Sequence, residues 1–129
     1  MTIAFYEGAY GPTIRLDAKT ADELMLLCRL FGKLVVGDVV QADLYKALAC
    51  HSEGIQSLIV ESTPERPAKA LELRGHGPEG AIFCWANTAE GWLELAERLD
   101  AILLVGIPGS RYLTREGIDD AVVELCYRE

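Results

Sequence analysis

The run Ala81-Ile82-Phe83-Cys84-Trp85 is apolar at every position, with none of the alternation expected of a strand that has one wet face. Bounded by Gly80 and Asn87, it reads as a strand over Gly80 to Ala86 covered on both sides. A strand of that kind belongs in the middle of a sheet, so the chain must supply layers to bury it. Its size allows this. The 129 residues (14.1 kDa) amount to one domain spanning 1–129, with no linker, repeat or low-complexity tract. A chain of this mass exposes ~6,700 Å² when folded and ~20,000 Å² when unfolded, so a core can form without disulfide or metal staples.

Two segments read as helices able to cover the sheet. Thr20 followed by Glu23 is a capping box, in which each side chain satisfies a backbone donor left free at a helix start. Behind it Leu24, Leu27, Cys28, Phe31, Leu34 and Val35 recur at helical spacing up to Gly37. Met25, Leu26 and Leu30 widen this stripe, so the helix is expected to be covered on more than one side, by a loop or by a partner chain. The second helix has Asn87 as its expected N-cap, an apolar face of Trp92, Leu95, Ala96, Leu99, Ile102 and Leu103, and a stop at Gly106.

The remaining signals are those of strands. Ile55 to Ser62 and Lys69 to Arg74 flank Thr63-Pro64-Glu65-Arg66-Pro67, where two prolines forbid regular structure. Ala121 to Arg128 is rich in β-forming residues, and Ile3 to Glu7 with Thr13 to Asp17 suggest an N-terminal hairpin. Asp38 to Ala49 fits a short helix better than a strand. The expected fold is α+β: a two-layer sandwich, with a mostly antiparallel sheet of about five or six strands and two or three helices packed on it.

Motifs for chemistry are sparse. Gly75-His76-Gly77-Pro78-Glu79-Gly80 spells G-x-G-x-x-G, with Asp100 about twenty residues beyond it. A dinucleotide site needs a helix directly after the glycines, so that the pyrophosphate meets the helix N-terminus. Here a strand follows, and Pro78 removes a donor, so a hairpin turn is the better reading. Cys28, Cys50, Cys84 and Cys126 lack the short spacing of a zinc or redox motif. They read as reduced thiols of a cytosolic protein, with two disulfides in an exported protein as the alternative. A zinc site from Cys50, His51, His76 and Cys84 has no spacing to support it. Ser110 in Gly109-Ser110-Arg111-Tyr112 lacks the second glycine of a nucleophile elbow. We therefore expect no enzyme activity, no cofactor and no metal.

Charge is the remaining signal. Twenty acids against twelve bases leave a net charge of −8, which disfavours direct contact with nucleic acid and suits a basic protein partner. The acids gather near the end of the chain (Glu116, Asp119, Asp120, Glu124, Glu129) and along the second helix (Glu90, Glu94, Glu97, Asp100). The N-terminus has no apolar signal segment, and no run has the length of a membrane span.

The run Asn87 to Leu99 (NTAEGWLELAERL), then Gly109-Ser110-Arg111-Tyr112-Leu113, then Val122-Val123-Glu124-Leu125, resembles small bacterial immunity proteins of polymorphic toxin systems, in particular immunity protein family thirty-two. These combine a Glu-Gly-Leu-type helix, a Gly-His-x-Tyr/His-Leu turn and a closing Val-Glu-Leu strand. The likeness covers roughly the last 45 residues, and Ser110 stands where the family usually has histidine. It implies a cytosolic antidote that binds one cognate toxin; acidic carboxylates standing in for phosphates would suit a nuclease toxin. Residues on or beside loops, free to reach such a partner, are Glu79, Tyr112, Glu116, Asp119 and Asp120. The alternative is a self-associating accessory domain, such as a homodimer, that uses the broad apolar face of Met25, Leu26 and Leu30. A third reading is a small-ligand or enzyme pocket lined by His51 or His76.

Overall fold

A computed structural model describes residues 1–114 and 119–128. The chain runs β1 (Thr2–Gly8), β2 (Gly11–Ala18), α1 (Ala21–Val36), β3 (Gln41–Asp43), α2 (Leu44–Ala47), β4 (His51–Glu53), β5 (Ile55–Ser62), β6 (Leu71–Gly77), β7 (Gly80–Asn87), α3 (Ala89–Val105), β8 (Gly109–Tyr112) and β9 (Val122–Tyr127). It is an α+β sandwich, as the residue pattern led us to expect. The apolar run is β7, an interior strand between β5 and β6, with Ala81, Phe83, Cys84, Trp85 and Ala86 buried.

The sheet arrangement differs from the single, mostly antiparallel sheet expected. There are two sheets, ordered β4-β1-β2-β9-β8 and β3-β5-β7-β6. Both are mixed: β1–β4, β2–β9 and β5–β7 pair in parallel, and the other pairings are antiparallel. The extra strands β3, β4 and β8 have three or four residues each, too few for alternation to show in a sequence. The ambiguous segment Asp38 to Ala49 divides between β3 and the single turn of α2.

Two sets of hydrogen bonds among the described residues link the sheets. The chain passes from β4 to β5 at Gly54, which has φ +72° and accepts the Ala81 N–H at 3.3 Å. Elsewhere Asp119 and Asp120, just before β9, hydrogen-bond the backbone of β6 and the residue preceding it.

Helices α1 and α3 pack on each other and meet β7 through an aromatic cluster. Phe31 lies 4.9 Å from Trp92 and 5.5 Å from Trp85, and the two indoles are 5.2 Å apart, all between ring centroids. The α1 capping box is present: Thr20 Oγ1 accepts the Glu23 N–H at 3.2 Å, and the Glu23 carboxylate accepts the Lys19 N–H at 2.7 Å. The α3 cap sits one residue later than expected. Thr88 Oγ1 accepts the Gly91 N–H, while Asn87 stays in β7 with its carbonyl bound by the Thr63 N–H. Gly37 and Gly106 end the two helices in the left-handed conformation. Leu30 is buried, but Met25 and Leu26 are 37% and 47% exposed, so the wide stripe of α1 is not covered by this chain.

Gly32 stands inside α1 with nothing within 4 Å of where a Cβ would lie. Gly32→Ala should therefore stabilise the protein by about 0.5–1 kcal/mol, because it restores helix propensity without a clash. A lowered urea midpoint would show that this position needs the bare backbone.

Candidate protein-binding groove

A concavity of about 710 Å³ opens where several segments converge. Trp85 and Asn87 come from the end of β7, Glu94 and Arg98 from α3, and Tyr112 and Thr114 from the end of β8 and the residues after it. The segment Arg66 to Ala70, kept irregular by Pro64 and Pro67, forms the remaining wall. This volume lies within the range of ordinary ligand or peptide sites.

Arg98 sets the position of Tyr112. Its guanidinium donates to the Tyr112 carbonyl at 2.6 Å and to the Leu113 carbonyl at 3.3 Å, fastening the end of β8 to α3. Thr114 Oγ1 accepts the Val123 N–H at 2.8 Å and so anchors the same segment to β9. Held this way, the Tyr112 ring meets Tyr10 edge-on with centroids 5.3 Å apart. Tyr10 is 57% exposed, and the two rings with Thr114 and Val122 line a second concavity of about 200 Å³. Tyr112 thus borders both hollows.

The outer face of the larger sheet continues from there. The register aligns Ala4, Arg15, Glu124 and Tyr112 in one row across β1, β2, β9 and β8. Tyr6 donates its hydroxyl to Glu124 at 2.9 Å, and burial followed by this bond pushes the Tyr6 phenol up. Three tyrosines therefore stand on or beside one sheet face, next to a carboxylate and a guanidinium.

The residues nominated from sequence divide into three groups. Tyr112 and Asp119 line the groove, and Asp120 adjoins it with its carboxylate 2.8 Å from Lys69 Nζ. Glu79 does not line it. The glycine run forms a tight hairpin in which Gly77 pairs with Gly80, leaving Pro78 and Glu79 at the tip, where the Glu79 N–H donates to Gln56 Oε1. Glu116 lies outside the described residues.

The two aspartates also have a role the sequence did not announce. Asp119 Oδ1 accepts the Ala70 N–H at 2.9 Å and Asp120 Oδ2 the Leu73 N–H at 2.8 Å. The Lys69 partner, then the Leu73 N–H, hold the Asp120 carboxyl below its usual range. They close the edge of β6, so reversing their charge would disturb the fold as well as any interface. Sequence reading missed Trp85, Asn87, Arg98 and Tyr10 as site residues. Glu94 was visible only as part of an acidic helix face.

Among the described residues, Cys28, Cys50 and Cys84 each face an oxygen acceptor. Cys28 donates to Asp100 Oδ1 and Cys84 to Glu61 Oε1, both at 3.3 Å, while Cys50 is buried against the Leu44 carbonyl. Burial first, and for Cys28 and Cys84 the carboxylate next, push all three thiols up to about 11. Among the described residues no three His, Cys, Asp or Glu side chains gather as a metal site; His51 lies in β4 and His76 in β6, on different sheets.

A kinetic consequence follows. These three thiols should react with a thiolate-selective reagent at pH 8 far more slowly in the native protein than after denaturation. The raised pKa also favours the native state while the thiols stay protonated. That contribution is complete below about 9 and declines as pH rises through about 11. Rapid native labelling of Cys28, Cys50 or Cys84, read by peptide mass mapping, would contradict this.

No family model, curated protein or solved structure matches the chain. The groove is interpreted from its own chemistry.

Proposed function

We propose that the protein is a cytosolic, non-enzymatic antidote that binds a basic bacterial toxin through the Tyr112 groove and the adjoining tyrosine face. The observation that carries this reading is the edge-on pair of exposed Tyr10 and half-buried Tyr112, which borders two concavities in a chain of net charge −8. Tyrosine supplies large contact area at a small entropic cost and is enriched among residues that dominate binding energy. The acidic chain steers a basic partner toward contact, and a nuclease toxin, which must hold phosphates, has such a surface. The resemblance to immunity proteins falls on the same part of the molecule, since Gly109 to Leu113 builds β8 and the rim, and Val122 to Leu125 lies in β9. Among the described residues no helix is long and apolar enough to cross a membrane.

Affinity capture from the source lysate at low and then high salt tests this reading. A single basic protein should be retained at low salt and released as salt rises. Tyr112→Ala should weaken its retention by roughly tenfold to a hundredfold, the loss of one well-packed aromatic anchor. Capture that ignores both Tyr112 and salt would overturn the proposal.

A second reading has its own observation. Leu104, Val105 and Ile107 are 88%, 63% and 59% exposed at the end of α3, an apolar cluster that suits self-association. Retention of nothing but further copies, with a mass that grows with concentration, would favour it.

A further inference from the structure

The two tryptophans of the core differ in one respect. Trp92 donates its indole N–H to the Glu61 carbonyl at 2.9 Å. Trp85 is fully buried and lines the groove, yet its indole N–H has no acceptor among the described residues. A buried donor left unmatched is destabilising, so native proteins rarely keep one without a use.

The charges around it show what could be received. Arg98 is occupied by the Tyr112 and Leu113 carbonyls, and Asp119 by the Ala70 N–H. Among the described residues, that leaves the exposed carboxylate of Glu94, on the helix that also exposes Glu90 and Glu97, as the groove's free anionic group. Arg66, exposed on the opposite segment, is a cation without a charged partner among the described residues. With −8 on the whole chain, the field favours a cation arriving beside α3.

We propose that the groove receives an extended peptide segment of the protein partner, with a main-chain carbonyl accepting from Trp85 and a lysine or arginine side chain meeting Glu94. This rests on the reading above only in taking the occupant to be part of a protein. An extended backbone presents carbonyl groups at regular spacing, and one of them supplies the acceptor that the buried indole lacks. Seating it requires a small shift of the floor, because the nitrogen is closed to water in the free protein.

The two indole N–H groups give two signals in a ¹⁵N-labelled sample, assigned through the backbone. The probe is a pool of capped hexapeptides with central lysine and randomised flanks, set against the same pool with central glutamate. The lysine pool should move the Trp85 signal downfield, as expected for a newly bonded proton, and move the Trp92 signal less. The glutamate pool should leave both in place. Glu94→Lys, an exposed substitution that leaves the core intact, should weaken the response to lysine peptides by roughly tenfold. Ala68→Trp, which adds bulk to the exposed wall, should abolish it. A Trp85 signal that ignores the lysine pool, or answers both pools equally, would overturn the proposal. If lysate capture still retained a basic protein in that case, the antidote reading would stand and only the groove's occupant would be wrong. If the lysine pool bound while capture retained nothing, the reverse would hold.

Discussion

Replacing Phe31 with alanine should destabilise the protein by about 3–5 kcal/mol, read as a fall in the urea unfolding midpoint at unchanged slope. Phe31 is fully buried in α1 and touches both indoles, Trp92 at 4.9 Å and Trp85 at 5.5 Å. No other buried ring from α1 can fill the space, so truncation leaves a cavity at the point where two helices and the central strand meet. Domains of this size have only about 5–15 kcal/mol of stability in total, so the variant should stand near the edge of folding. Phe31→Leu, which keeps most of the volume, should cost less. Equal losses for the two variants would mean that the ring contacts themselves contribute little.

Gly80→Val should have a comparable effect through a different cause, with a loss of about 2–5 kcal/mol in the same measurement. Gly80 has φ +129°, and a Cβ there would lie 2.5 Å from the carbonyl carbon and oxygen of Gly54. Both obstacles are backbone, and Gly54 itself is held by a positive φ and by the Ala81 N–H. The substitution would therefore push apart the corner where one sheet passes into the other. Gly77, at the other end of the same hairpin, is the control. The three atoms nearest a Cβ at Gly77 all belong to the Gln56 side chain, which can turn away, so Gly77→Ala should cost much less, chiefly the Glu79 N–H bond. Similar losses at both glycines would contradict the idea that the backbone crossing at Gly54 is what matters.

The glycines also show how far local reading reaches. A hairpin is the natural interpretation of Gly77-Pro78-Glu79-Gly80, because the turn chemistry is local. That Gly80 must be glycine because Gly54 lies against it could not be seen, since these residues are neighbours only in the folded chain. The same division runs through the site. Tyr112 stood out through the motif around it, and the acids of α3 through their spacing. Asp119 and Asp120 look in sequence like an ordinary solvated pair, and only the fold sets them against the backbone of β6.

What the amino-acid sequence settled alone were features with short-range causes. These are the cap of α1, the glycine stops of α1 and α3, the two-sided burial of β7, the N-terminal hairpin, the α+β class and the acidic charge. Each depends on periodicity, side-chain hydrogen bonds within a turn, or plain counting, and all of these operate over a few residues. Tertiary structure decided the rest: two mixed sheets instead of one, the parallel pairing of β2 with β9, and the meeting of Trp85, Glu94 and Tyr112 around one groove. Strand partners and cavities depend on which distant surfaces bury each other best, and hydrophobic burial has no direction along the chain by which a single segment could announce its partner.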